Sequence, residues 1–259
     1  MKKIFLQTIA AVAALMAIFM LSACGANNDA PVLSDANPSA VPDGTAAPDA
    51  APDAAAYGTN AVARVTATAA YSYADRDTAR LYAAIEYKNE GDCPIVISNV
   101  KLNAAAEGVN ETAEFVPELS EYMVLLPGET GYIARWLGNT AIPIGADITM
   151  SAELTAAKHD ERGARIRVDN LYAADNYPSV TTLSGRLTCR EGHSCTANMI
   201  FIGFYDENER FIGAWYFSKN ALFEGGDSKS FVADMNDFPV AKLSEKAAGI
   251  RGIGFGFDF

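Results

Sequence analysis

Histidine is scarce in this chain: His159 and His193 are the two among 259 residues. No histidine pair at metal-binding spacing, no Gly-x-Ser-x-Gly elbow and no glycine-rich phosphate loop occurs. Their absence removes the usual signatures of zinc peptidases, serine hydrolases and nucleotide-dependent enzymes. Basic residues are also short, with 20 Lys and Arg against 32 Asp and Glu. That balance argues against nucleic acid, which is held by Lys and Arg neutralising its phosphates, and against charge-driven attachment to anionic lipid. We therefore expect no catalytic residues, no metal and no cofactor. A hydrolase built on carboxylates is the competing class, because its acids would look like surface acids.

What is present begins at the N-terminus. Lys2 and Lys3 precede an apolar run, Ile4 to Leu21, that stops at "LSAC", Leu21 to Cys24. A basic start, an apolar stretch and small residues before a cleavage point form the layout of a secretory signal. At ~1.5 Å per residue the run reaches about 27 Å, short for a bilayer core of ~30 Å. The last four residues resemble the lipobox of bacterial lipoproteins. That resemblance implies cleavage after residue 23 and a diacylglyceryl group on Cys24, which becomes the mature N-terminus. Two acyl chains give stable membrane anchoring where one gives only a marginal hold. The expected location is the extracytoplasmic face of a bacterial cell membrane. Gly25 carries no acidic retention signal, and a Gram-positive host is the reading favoured.

Residues 24–60 change composition to Ala, Pro, Asp and Asn, with no Lys or Arg and five Asp. Such a stretch cannot bury enough apolar surface to offset its ordering entropy, so a disordered linker is expected. As a flexible coil it would span about 35 Å, and about 110 Å fully extended. Residues 61–259 hold 18 bases against 27 acids, or −9, a charge that serves solubility.

This remainder reads as strands. "LYAAIEYKN" puts Leu81, Ala83, Ile85 and Tyr87 on one face, opposite Tyr82, Glu86 and Lys88. "DITMSAELT" and "VARVTATAAYSY" alternate in the same way, the period-two mark of half-buried strands. Turn signals such as "NEGD", "LPGET", "DENER" and "EGGDS" separate the runs. "MIFIGFY" is apolar on both faces, which predicts a strand covered from either side. The fold class expected is all-β: two tandem immunoglobulin-like antiparallel sandwiches, 61–160 and 161–259, joined at the polar "KHDERG".

A weak internal repeat supports two units, since "VLLPGETGYIARW" parallels "ALFEGGDSKSFVADM". One short helix is expected at "VAKLSEKAAG". The stretch "FIGFYDENERFIGAWYF", with Phe204-Tyr205-Asp206 and Phe211-Ile212-Gly213, resembles the FxLYD-type sandwich domains of bacterial lipoproteins. Glu224 stands where that pattern has proline, while the first unit keeps Pro127-Gly128-Glu129. The resemblance implies a sandwich fold and transfers no catalytic residue.

Three cysteines remain after Cys24. Cys189 and Cys195 flank a five-residue loop, "REGHS", between strand-like segments. In an oxidising compartment they are expected to form a disulfide, with two buried thiols as the alternative. His193 does not complete a zinc site with them, since a fourth ligand is missing. Trp215 and Tyr216 form a candidate binding surface that could stack on a sugar, or a part of the core. In "IRGIGFGFDF", Ile253, Phe255, Phe257 and Phe259 share one face and Gly252, Gly254 and Gly256 the other. The phenylalanine face is expected to pack inward, and the glycine strip to let another module or a partner approach closely. The function expected is binding, to an envelope protein, a cell-wall polymer or a carbohydrate.

Overall fold

A computed structural model describes residues 57–76, 78–118, 120–160, 164–176, 180–189, 194–195, 197–219, 222–235 and 237–257. Cys24, the linker up to residue 56 and His193 lie outside the described residues. Twelve strands hold most of the described residues. The first six are β1 (Ala63–Asp75), β2 (Thr78–Asn89), β3 (Ile95–Ala106), β4 (Val109–Phe115), β5 (Thr130–Asn139) and β6 (Thr149–Lys158). The rest are β7 (Ala164–Asn176), β8 (Val180–Cys189), β9 (Ala197–Tyr205), β10 (Phe211–Lys219), β11 (Ser228–Asp234) and β12 (Gly249–Phe257). One short helix, α1 (Leu243–Lys246), falls inside the segment where the sequence predicts one.

The strands form three antiparallel sheets, ordered β1-β2-β5, β4-β3-β6 and β10-β9-β12-β7-β8-β11. The fold is all-β and sandwich-like. The first two sheets face each other across Ala83, Ile85, Tyr87, Ile95, Ile97, Val100 and Leu102, all buried. The six-stranded sheet curls far enough for side chains of its two edge strands to touch, with the Phe217 and Phe231 rings 5.0 Å apart. Inside the curl lies a second apolar cluster built from Leu183, Leu187, Ile200, Ile202, Phe204 and Phe231.

Alternation along β2 explains how the layers stack. The expected face of Leu81, Ala83, Ile85 and Tyr87 is buried, and so are Tyr82 and Ala84 on the reverse, each 0 % exposed. That reverse face meets Phe201, Tyr205, Ala214 and Phe255 of the curled sheet within one continuous cluster. The strand is therefore covered on both sides. Strand β9 is shared likewise: Met199, Phe201 and Tyr205 face the first cluster, while Ile200, Ile202 and Phe204 face the second. Fully burying one such aromatic or aliphatic side chain contributes about 1.5–3 kcal/mol.

Two glycines are required by close approach. A Cβ at Gly203 would fall 2.7 Å from Tyr132 Cζ, so only the absence of a side chain lets the β5 and β9 layers meet there. Gly213 sits in a β-bulge of β10 at φ 146°, beneath the Phe238 ring.

Candidate functional site

The seam between the β1-β2-β5 sheet and the curled sheet concentrates the polar chemistry of the molecule. Strand β10 is an edge, and its outward backbone is met by tyrosine hydroxyls. Tyr71 Oη donates to Ile212 O at 2.8 Å, and Tyr82 Oη accepts from Ala214 N at 2.8 Å while donating to Ala214 O. These hydroxyls take the place of a neighbouring strand. Burial in this apolar layer pushes the Tyr82 phenol well above its ordinary range.

At the next rung, Tyr205 Oη donates to Glu86 Oε2 and lies 3.0 Å from Tyr132 Oη. Thr66 Oγ1 donates to the other Glu86 oxygen at 2.6 Å, and the Arg251 guanidinium covers the Tyr205 ring at 4.3 Å. Burial is the main cause that pushes the Tyr132 phenol up to about 12, opposed by its bond with Tyr205. Burial, then the Tyr132 and Glu86 neighbours, raise Tyr205 further. Trp136 Nε1 donates to Asp237 O at 3.0 Å. Buried Arg165, at the start of β7, donates to Val124 O and to Glu129 Oε2 at 2.7 Å, and lies 4.9 Å over the Phe255 ring. Glu129, from the Pro-Gly-Glu turn, also accepts the Leu126 N–H at 2.7 Å.

Along the same seam runs a groove. Its floor is Tyr132 to Arg135 of β5, with Phe115, Pro117 and Met123 on one wall and Phe201 and Tyr216 on the other. Arg135 pairs with Glu118 at 2.5 Å and lies 5.2 Å over the Phe115 ring. Tyr216 Oη donates to the other Glu118 oxygen at 3.4 Å, and burial raises its phenol first, Glu118 second. Val116 beside it is 60 % exposed. The space it leaves is about 20 Å³, enough for a water and too small to hold a sugar ring or a metabolite. Tyr and Arg, which flank this apolar centre, are among the residue types that carry binding energy in protein interfaces.

The residues singled out from the sequence fall as follows. Tyr216 lines the groove, half-buried, with its ring 5.7 Å from Phe201 and 5.9 Å from Trp136. Trp215 turns to the opposite face, is buried and stacks on Phe217 at 5.3 Å. The adjacent pair therefore cannot form one platform, because a period of two sends neighbours to opposite faces.

The glycine strip lies along the inner side of the curl. Gly254 and Gly256 are buried. A Cβ at Gly252, Gly254 or Gly256 would meet Val168 at 2.9 Å, Ile166 at 2.8 Å or Cys195 Sγ at 2.5 Å, respectively. The chain's own side chains from within the curl occupy that space. The Ile253 and Phe255 face is the one that meets the other sheets.

Cys189 and Cys195 are both buried, and both border the same turn. Cys189 N–H donates to Asp227 O at 2.9 Å, and Cys195 exchanges backbone bonds with Phe223. Cys195 Sγ lies 3.1 Å from Asn198 Oδ1. Cys93 is buried against cluster one, with Asn89 Nδ2 donating to its carbonyl at 2.9 Å. His159 is half-buried at the end of β6.

Sequence reasoning missed Arg165, Glu86, Tyr132 and Glu118. Arg165 follows the polar joint and looks like part of it. Glu86 sits on the face of β2 that alternation assigns to water. Among the described residues, no group of three His, Cys, Asp or Glu side chains is placed to hold a metal ion. No described helix is long and apolar enough to cross a membrane. The chain matches no protein-family model and no curated protein sequence.

Proposed function

We propose that this chain is a lipid-anchored extracytoplasmic protein that acts by binding another component of the bacterial envelope. The anchor is Cys24 of the lipobox-like Leu21 to Cys24, residues 1–23 are the cleaved signal, and the linker to residue 60 is a spacer. The body divides into two immunoglobulin-like modules, 61–160 and 161–259. In support, the two three-stranded sheets come from the first range and the six-stranded sheet from the second. The β9–β10 hairpin is the element with FxLYD character. Its turn is held by Asp206 Oδ1, which accepts the Asn208 and Arg210 N–H groups at 2.8 and 2.9 Å.

The observation that carries the binding reading is the filled interior beside an aromatic, charged seam. Glu118, Arg135 and Tyr216 gather there around a space of about 20 Å³, and exposed Val116 lies between Phe115 and Pro117 of its lining. Recognition at such a place uses surface, and protein contact fits it better than capture of a small molecule. Half-buried Tyr216 and Trp136 favour a second reading, a glycan strand lying across the seam.

The anchoring and binding parts are tested together. Full-length protein from a bacterial host should enter the detergent phase on Triton X-114 clouding, and Cys24→Ala should move it to the aqueous phase or leave the precursor uncut. A photo-crosslinking amino acid at Val116 should give a discrete adduct in intact cells, while the same group at Glu107 should not. An aqueous wild type refutes the anchor; equal labelling at both positions refutes the seam.

A further inference from the structure

We propose that the outer face of β7-β8-β11 binds an acidic glycan, with a sugar ring stacked on Tyr172 and its carboxylate or phosphate held by Arg186. This surface lies apart from the seam, and the inference goes beyond that reading.

The outer face of the six-stranded sheet is covered over one half. Phe201, Tyr205 and Phe255, on β9 and β12, pack into the cluster shared with the first two sheets. Over β7, β8 and β11 the face stays open, with Tyr172 65 % and Val232 73 % exposed. Cross-strand register sets these two in one row, through Tyr172↔Ser184 and Ser184↔Val232. A β-bulge aims the tyrosine. Asp169 pairs with Arg186 and Tyr172 with Ser184, so β7 takes three steps where β8 takes two. Asn170 absorbs the extra residue at φ 52°. Leu171 then turns inward, its Cδ2 lying 3.0 Å from where a Cβ on Gly185 would stand. Strict alternation from Asp169 would have sent Leu171 out and Tyr172 in; a bulge is the device that re-aims a side chain.

The next row holds Asp169, Arg186 and Ser230. Arg186 is thus a diagonal neighbour of Tyr172, about 7–8 Å away across the face. It is exposed and makes no hydrogen bond or ion pair among the described residues. Asp169 is engaged by Arg167 at 2.9 Å, and Asp234 stands two rows off. Arg186 is therefore a cation without a counter-ion, in a body of net charge −9. Salt screens the distant acids beyond about 8 Å, and the planar guanidinium fork matches a carboxylate or a phosphate. Thr182, Ser184, Thr188, Ser228 and Ser230 supply most of the remaining face. Their hydroxyls both donate and accept, as sugar hydroxyls do. Serine is depleted where proteins meet, and Tyr172 with Val232 gives too little apolar area for the core of a protein interface.

The test uses the full-length chain in detergent and fluorescein-labelled hexasaccharides, read by anisotropy at low salt. Hexagalacturonate carries carboxylates, phosphorylated maltohexaose carries phosphate, and plain maltohexaose is the neutral control. At least one acidic sugar should bind saturably and about tenfold or more tighter than the control; which one does so identifies the anion. Arg186→Gln should erase that preference together with its salt dependence. Tyr172→Ala should weaken the acidic sugar about tenfold, and Tyr172→Phe, which keeps the ring, should bind as wild type. Both side chains are exposed, so urea midpoints should not move. No saturable binding of either acidic sugar up to about 1 mM overturns the proposal, as does a control that binds equally well. Binding that ignores Arg186→Gln or Tyr172→Ala overturns it too. So does a photo-crosslinking group at Ser184 that yields a protein adduct in intact cells. Crosslinks at Val116 should persist in Arg186→Gln, so the seam reading and this one fail separately.

Discussion

Gly203 lies directly under the ring of Tyr132, closer than any side chain would allow: a Cβ there would stand 2.7 Å from Cζ and nearer still to Cε1. Two sheets meet at this point because one of them has nothing to put there. Gly203→Ala should destabilise the protein by about 1–3 kcal/mol, the range for overpacking a closed core. Pairing it with Tyr132→Leu should return part of that loss in a urea-denaturation double-mutant cycle. Strict additivity would show that the two positions do not press on one another.

Tyr82 bonds both backbone groups of Ala214 through one hydroxyl. Tyr82→Phe keeps the ring, which lies 5.3 Å from Trp136 and 5.7 Å from Phe238, and orphans a buried N–H and C=O. The expected cost is about 1–3 kcal/mol, visible as a lower urea midpoint at constant slope. Amide exchange at Ala214 should accelerate while amides in β3 stay protected.

The paired phenols give a pH dependence with a definite sign. Burial pushes the Tyr132 phenol up to about 12 from an ordinary 10.0, and burial raises Tyr205 as well. A tyrosine raised on folding stays protonated in the native state where the unfolded chain has begun to lose its proton. Its contribution is complete below pH ~10 and is lost as the pH rises from there towards 12. Chemical denaturation across that window should show stability falling with pH. The slope should be shallower in Tyr132→Phe; an identical slope would remove Tyr132 from the effect.

Arg165 and Glu129 form a buried-to-half-buried ion pair, with side chains 10 % and 28 % exposed. Removing one partner leaves the other charge in poor surroundings, so Glu129→Leu or Arg165→Leu alone should cost about 3–5 kcal/mol. The double variant should be closer to wild type than the sum of the two. Thermal unfolding in low and high salt will check it, since a half-screened pair should respond only weakly to salt.

The sheet content was legible because alternation, turn residues and the doubly apolar "MIFIGFY" are local signals. For β9 that pattern maps onto two clusters, residue by residue. Strand β2 shows where local pattern stops. Tyr82, Glu86 and Lys88 read as the side opposite the apolar face, yet Tyr82 is buried once Ala214, Phe201 and Tyr205, more than a hundred residues later, pack against it. The aromatic pair at Trp215 and Tyr216 was visible as a cluster, but adjacency in sequence meant separation in space. In the terminal strand, Ile166, Val168 and Cys195 lean in from flanking segments over the glycines, a contact that alternation alone does not reveal. Arg165 carried no signal at all beside a run of charges.

Strand β9 is a party wall. Phe201 and Tyr205 belong to one room and Ile202 and Phe204 to the next, so neither room can be vacated quietly. Severing the chain after residue 160 would strip the plaster from both sides, leaving Tyr82, Phe201 and Phe255 facing water. Heat should therefore bring the building down in one collapse, with a calorimetric enthalpy equal to the van't Hoff value.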